Sequence, residues 1–337
     1  VAVERHLPAL RHVPEITVVA LSDVDEDRMK QLGDPLGVEH RHSDYRALLE
    51  REEVEAVGIL TETASHAEIG LAALEAGKHI LIEKPLALNL EECDRLVEAG
   101  GRSPRIVTVG FNLRWHRLVQ RARAFLQTGA LGRVKAIRSV YTHDRQGTDA
   151  PEWHRKRALG GGVCFNESVH HYDLWRYLLE SEVEEVSAFS RPSDVYEDET
   201  NVTTVSLTNG ALATGVFAMT TSANSEIEIY GEAGRLYLSL YKFDGFEFFP
   251  KSTYPGDVKD RMKKAAVALR ELPQAIPAMR RGGDFAATFT ELWRDFADCV
   301  RQDKGSECTL DDGKQAIRIA LAAIESASTG QAVKMTV

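Results

Sequence analysis

The chain has little cysteine, no excess of positive charge and no long apolar run, and each shortage removes a class of protein. Its four cysteines, Cys93, Cys164, Cys299 and Cys308, stand singly and far apart, without the paired spacings of zinc knuckles or redox dithiols. No metal site is expected, and free thiols fit a reducing cytoplasm. Asp and Glu outnumber Lys and Arg by 51 to 41, a formal charge of −10. Nucleic acid and anionic membrane surfaces both need a positive field, so neither is expected as a partner. One basic stretch, Lys259 to Arg281, runs against that trend and reads as a solvated amphipathic helix broken by Pro273 and Pro277. No apolar segment approaches the roughly 18 residues of a membrane span. Internal repeats are absent, and no glycine-rich turn stands near the front of the chain.

What is present is length and alternation. With 337 residues, 43% of them apolar, two domains can each bury a core. In the first third, strands are expected at Ile16 to Leu21, Ala56 to Leu60, Ile80 to Ile82 and Ile106 to Phe111. Helices are expected near Val3 to Arg11, Asp25 to Gln31, Ala67 to Glu75 and Leu90 to Ala99, with Gly77 and Gly100 in the left-handed position that stops a helix. That alternation is the pattern of a doubly wound, Rossmann-type parallel sheet wrapped on both faces. Ligands bind such sheets at the carboxyl ends of the strands. Polar residues gather there: Asp23 after the first strand, Thr61, Ser65 and His66 after the second, Glu83 and Lys84 after the third, Asn112 after the fourth. These are the expected cofactor-binding residues, although Thr61, Ser65 and His66 also suit the start of a helix.

In such a domain a phosphate-cradling glycine loop precedes a ribose-binding acid by roughly 20 residues. Asp23 falls in that place if the loop and the first strand lie just ahead of Val1, and the front of the domain is therefore expected to precede the chain. A carboxylate there accepts from ribose hydroxyls and repels a 2′-phosphate, which predicts NAD rather than NADP. From Arg114 the pattern changes to strands with tight turns: Arg133 to Thr142, then Val202 to Leu207 and Ala211 to Met219 around Asn209-Gly210. Glu226 to Tyr230 and Arg235 to Leu240 follow, and two amphipathic helices, Phe285 to Arg301 and Asp311 to Ser328, close the chain. The expectation is α/β: a dinucleotide-binding domain over 1–113 and an α/β substrate domain with an open, mostly antiparallel sheet over 114–337. An uncovered sheet face calls for a second copy, as a homodimer or homotetramer.

Two stretches carry chemistry. His79 to Pro85 is an apolar strand that ends in a carboxylate, an ammonium and a proline. Lys84 there leaves a buried strand directly into the ligand-binding edge, and its charge can polarise a substrate oxygen. Downstream, Gly160-Gly161-Gly162 precedes Asn166, His170 and Asp173, which at i, i+4 and i+7 share one face of a helix. The glycines let backbone approach a ligand closely, His170 can accept a hydroxyl proton, and Asp173 can orient its ring. Arg114 and Trp153 join Lys84, Asn166, His170 and Asp173 as candidate contacts to a polar substrate, with Asn112, Tyr141, His143 and Arg155 nearby in the sequence pattern.

Taken with Thr61 to His66, Ala73 to His79 and Gly110 to Arg114, these stretches resemble the Gfo/Idh/MocA oxidoreductases over nearly the whole chain. The resemblance implies a Rossmann domain, NAD or NADP, and oxidation or reduction of sugars, inositols and related polyols. It gives Lys84 the role of the family's lysine and His170 that of its proton-transferring histidine. Asn166 stands where the family usually has Asp, Ser168 where it has glycine, and Glu62 where it has proline. An amide positions a hydroxyl but cannot take its proton, so proton transfer would rest on His170 and Lys84. Two other activities are compatible with the resemblance: an NAD-dependent glycosidase, and a non-catalytic sensor of cofactor or sugar.

Overall fold

A computed structural model describes residues 2–145, 151–252, 258, 262, 265–270, 272–273, 276 and 283–335. Most of the basic segment Lys259 to Arg281 lies outside the described residues. Internal contacts divide the chain into two units, Val1–Phe111 with Phe289–Ile317, and Asn112–Thr288 with Arg318–Val337.

In the first unit a helical turn, Ala2–His6, leads into α1 (Leu7–Leu10). β1 (Ala20–Ser22) is followed by α2 (Glu26–Gly33), β2 (His40–His42) and α3 (Tyr45–Leu49), and β1 pairs with β2 in parallel. β3 (Ala56–Ile59), α4 (Thr63–Glu75), β4 (His79–Ile82), α5 (Leu90–Arg102) and β5 (Val107–Val109) give a second parallel ladder in the order β3-β4-β5. Ile80, Leu81 and Ile82 are all buried, as an unbroken apolar run must be in a parallel strand covered on both faces. Asp25 caps α2 by accepting from the Arg28 N–H, and Asn89 caps α5 by accepting from that of Glu92. Gly77 ends α4 at φ +69°. Gly100 does not stop α5, which runs on to Arg102; a Cβ there would meet the Leu310 side chain at 2.5 Å, so close packing explains that glycine. β2 was not expected, because His40-Arg41-His42 has no apolar residue to announce a strand.

The second unit contains α6 (Arg117–Gln127), β6 (Val134–Asp144), α7 (Glu152–Arg155) and α8 (Val169–Leu179). Then come β7 (Val183–Arg191), β8 (Thr200–Leu207), β9 (Leu212–Ala218), β10 (Thr220–Gly231), β11 (Gly234–Ser239) and β12 (Phe246–Pro250). With β13 (Val333–Lys334) they form an eight-stranded sheet in the order β12-β11-β10-β6-β9-β8-β7-β13, antiparallel except for the β6–β9 pair. The Asn209-Gly210 turn joins β8 to β9 as expected, with Gly210 at φ +81°. Every residue of α8 is buried. The Trp175 indole N–H donates to Ser139 on β6 at 2.9 Å, and its ring lies over Gly215, where a Cβ would come within 3.0 Å. On the opposite face, Phe189 pairs with Val202 and Val202 with Val216 across three strands, and all three are exposed.

Two long helices, α9 (Asp284–Gln302) and α10 (Leu310–Thr329), follow. The sequence reading placed them in the second domain, yet Phe289–Ile317 clusters with the first unit. The cause is small residues meeting large ones. A Cβ on Gly58 of β3 would lie 2.8 Å from the Trp293 ring, and one on Gly313 would lie 2.9 Å from Leu86. In addition, the Val109 N–H donates to the Cys308 carbonyl at 3.1 Å.

Candidate active site

Lys84 follows β4 directly, is half-buried, and precedes a cis Pro85. Its main-chain N–H donates to Oε2 of Glu83 at 3.0 Å, while the other carboxylate oxygen receives Nε2 of His6 at 2.8 Å. Glu83 is buried against Gly110, where a Cβ would meet Oε1 at 2.8 Å. Burial pushes its pKa up, but the hydrogen bond from His6 and the nearby charge of Lys84 outweigh that and hold it below the usual carboxylate range. Glu83, expected to bind cofactor, thus anchors the lysine turn from within.

The turn after β3 is tied to the same place. Nδ1 of His66 lies 2.8 Å from the Pro85 carbonyl and Nε2 lies 3.1 Å from that of Thr61. Complete burial lowers the His66 pKa although both carbonyls oppose it, so the ring is neutral and donates from one nitrogen at a time. The Ser65 hydroxyl donates within the turn, to Thr61 and to the Glu62 carbonyl. Thr61 itself is exposed. At the end of β1, Asp23 accepts from the Asp25 N–H at 2.9 Å and from Arg28 at 3.2 Å. Arg28 also pairs with Asp25, so the cation closest to this acid is already neutralised by two carboxylates.

In the second unit the triple glycine has a different use from the one expected. A Cβ on Gly161 would fall 2.1 Å from the Trp153 carbonyl oxygen, and the N–H groups of Gly161 and Gly162 donate to the carbonyls of Lys156 and His154. The glycines therefore allow backbone to pack on backbone, with Gly160 and Gly162 at φ near +85°. Asp198 closes the turn by accepting from the Cys164 N–H at 2.9 Å and from the Ser190 hydroxyl, and burial raises its pKa.

Asn166 lies in a wide helical turn, Val163–Glu167, ahead of α8, and His170 and Asp173 lie within α8, so the expected single helix is broken between them. Nδ2 of Asn166 lies 3.2 Å from Nδ1 of His154 and 3.5 Å from Oε1 of Glu167. A carboxylate only accepts, which turns the amide nitrogen toward Glu167 and its oxygen the other way. Glu167 is buried, with Arg145 at 3.2 Å and His143 at 3.7 Å. Asp173 receives a two-pronged hydrogen bond from Arg114, with Nε at 2.8 Å, and both side chains are almost fully buried. Both oxygens of this carboxylate, the one expected to orient His170, accept from Arg114, whose guanidinium also lies over Tyr177. Trp153 stacks on His154 with ring centroids 3.8 Å apart, and the amide of Asn112 donates to the Thr288 hydroxyl at 2.7 Å. His6, Trp293, His154 and Glu167 escaped the sequence reading because their partners are remote or, for Glu167, on the wrong helical face. Among the described residues no group of three or more acidic, histidine or cysteine side chains is placed to hold a metal.

Residues 1–111 match the model of an oxidoreductase family with an NAD-binding Rossmann fold, and residues 119–237 match that family's GFO/IDH/MocA C-terminal domain. The chain belongs to the Gfo/Idh/MocA family. Like other Gfo/Idh/MocA members it is an oxidoreductase with an NAD-binding domain. It is 27% identical to myo-inositol 2-dehydrogenase of Thermotoga maritima over 98% of this chain and 94% of that one. It is also 27% identical to the NAD(+) scyllo-inositol 2-dehydrogenase of Bacillus subtilis, over 96% and 90%. The fold superposes on levoglucosan dehydrogenase solved with NADH and levoglucosan at a TM-score of 0.80, with 22% identity, over 98% of this chain and 95% of that one.

Proposed function

We propose that this chain is an NAD-dependent dehydrogenase acting on a secondary alcohol of a sugar, cyclitol or sugar derivative. The observation that carries the proposal is Lys84, delivered by a buried parallel strand of an NAD-binding domain and braced by an ionised carboxylate. Asp23 suits the ribose hydroxyls, and the pairing of Arg28 with Asp23 and Asp25 leaves a 2′-phosphate facing two carboxylates, which favours NAD over NADP. When bound, the nicotinamide supplies the hydride acceptor. Lys84 stabilises the substrate oxygen as negative charge develops, and His170 accepts the hydroxyl proton. The Asn166 oxygen, turned away from Glu167, accepts a hydrogen bond from a neighbouring hydroxyl of the substrate and so positions the ring. The relatives named above are inositol dehydrogenases and, in the structural match, a levoglucosan dehydrogenase, which supports a sugar or cyclitol substrate.

The test is a panel of myo-inositol, scyllo-inositol, levoglucosan and common aldoses with NAD, followed by NADH absorbance. Turnover of at least one polyol is expected, and Lys84→Ala should keep NADH binding yet lose about 10²–10³-fold in kcat. Undiminished turnover removes Lys84 from the mechanism. Binding without turnover across the panel moves the chain to the sensor reading, and sugar release without NADH accumulation moves it to the glycosidase reading.

A second copy of the chain is proposed to cover the Phe189, Val202 and Val216 row, since adjacent exposed apolar residues on a sheet face favour a self-complementary contact. Val202→Lys with Phe189→Lys should reduce the mass measured by light scattering to that of a monomer; an unchanged mass rejects this face. The four described cysteines are free and buried, and burial pushes the Cys93 thiol up to about 12. Inert thiols of this kind suit the cytoplasm, and none of the described helices is long and apolar enough to cross a membrane.

A further inference from the structure

We infer that His6, fixed by Trp293, is a positioning residue for Lys84. The inference rests on the role given to Lys84 above, and it concerns how that side chain is aimed.

Three buried groups from distant parts of the chain form one line of hydrogen bonds. The Trp293 indole N–H lies 3.0 Å from Nδ1 of His6; Nε2 of His6 lies 2.8 Å from Oε1 of Glu83; Oε2 of Glu83 lies 3.0 Å from the main-chain nitrogen of Lys84. An indole N–H can only donate, so Nδ1 of His6 must accept. The ring proton then sits on Nε2 and points at Glu83, which makes the tautomer a consequence of Trp293. Glu83 can only accept, and its second oxygen takes the Lys84 N–H. Each link thereby fixes the polarity of the next.

Packing holds the line in place. His6 and the Glu83 side chain are at most 5% exposed. Phe289 and Trp293 meet the His6 ring edge-on at 4.9 and 5.9 Å, and Gly110 leaves no space behind the carboxylate. A buried carboxylate between two donors has one low-energy orientation, because losing either donor leaves an oxygen unsatisfied. The Lys84 Cα, and with it the root of the ammonium-bearing chain, inherits that orientation. A purely structural account would explain the burial of these groups; it would not require the carboxylate to bond the backbone of the lysine itself.

The test is hydrogen exchange at the Lys84 amide, read by NMR on the full chain without substrate, in His6→Leu, His6→Gln and Trp293→Phe. Leucine removes both links, whereas glutamine retains an acceptor and a donor. Exchange at Lys84 should rise at least tenfold in His6→Leu and severalfold in Trp293→Phe, and return to within threefold of the parent in His6→Gln, with Ile80 to Ile82 amides unchanged. Unchanged exchange at Lys84, or equal loosening of the whole strand, overturns the inference. Where His6→Leu fails to fold, Trp293→Phe and His6→Gln carry the same comparison.

A kinetic arm separates this inference from the reading beneath it. On the polyol turned over fastest in the panel, His6→Leu should lower kcat about tenfold with KM within twofold, and should add nothing in a Lys84→Ala background. Equal losses in both backgrounds overturn the action through Lys84. Full turnover by Lys84→Ala alone defeats the catalytic role of the lysine while leaving the exchange result to stand by itself.

Discussion

The lysine turn of the first unit and the histidine turn of the second hold their reactive groups by opposite means. At Lys84, side chains do the fixing: His6, Glu83 and His66 each satisfy a backbone group or a neighbour, and substituting any one changes a hydrogen bond. At Asn166 and His170, backbone does most of it: glycines let Gly160–Gly162 lie against the carbonyls of α7, and α8 is buried along its whole length. The lesson is that a flexible cation is aimed by polar partners, whereas a stiff imidazole is aimed by placing its helix. The two turns should therefore fail in different ways.

The largest expected effect is on the histidine side. Arg114→Leu leaves Asp173 buried without its guanidinium, and urea unfolding should show a loss of about 3–5 kcal/mol. A loss under 1 kcal/mol would mean that this buried pair contributes little beside the backbone packing of α8. Gly161→Ala follows, since its methyl would meet backbone oxygen rather than a movable side chain. The expected cost is about 2 kcal/mol, with kcat falling in step, and a neutral result would show that α7 shifts freely.

Next in size is an acid effect peculiar to α8. His171 is fully buried between Tyr141 and Phe217; burial first, and then the His143 charge, push its pKa down to about 3. The unfolded chain takes up that proton near its ordinary pKa of about 6.5. Between these values the unfolded state binds more protons, so stability falls as pH drops below 6.5, by about 1.4 kcal/mol per unit from this group. His171→Phe should flatten the urea midpoint between pH 6.5 and 4.5, and an unaltered slope contradicts the assignment. Glu83 acts lower on the scale. Its folded pKa lies below the unfolded one, so its contribution is present above the unfolded value and is lost as pH falls through the folded value. Glu83→Gln should leave the slope above pH 5 as in the parent and reduce it below pH 4.

The smallest effect tests the lysine side. His66→Phe should keep the packing and lose the bridge between the Thr61 and Pro85 carbonyls, at about 1 kcal/mol, with KM for NAD raised severalfold. A larger loss in kcat than in KM would place His66 closer to the chemistry than its contacts do.

The same contrast decides what was legible beforehand. Ile80-Leu81-Ile82 announced a buried strand, and the residues just after it announced the ligand edge; both are local signals. The Asn209-Gly210 hairpin and the two terminal helices were legible for the same reason. His6 and Trp293 are 287 residues apart, and no period or motif links them. The partnership of Arg114 with Asp173 was hidden in the same way, because a helical pattern shows which residues share a face and not what that face meets. The glycines suggest backbone close to a ligand, and at Gly161 the group that comes close is the chain's own carbonyl at Trp153.

The placement of β6 carries a consequence for how the protein comes into being. It is the first strand of its sheet to leave the ribosome, yet it is flanked by β9 and β10, the fourth and fifth to emerge. One edge stays unpaired until some seventy further residues have been synthesised and the other until some eighty, a wait that favours slow assembly and invites capture by a chaperone or by another nascent chain.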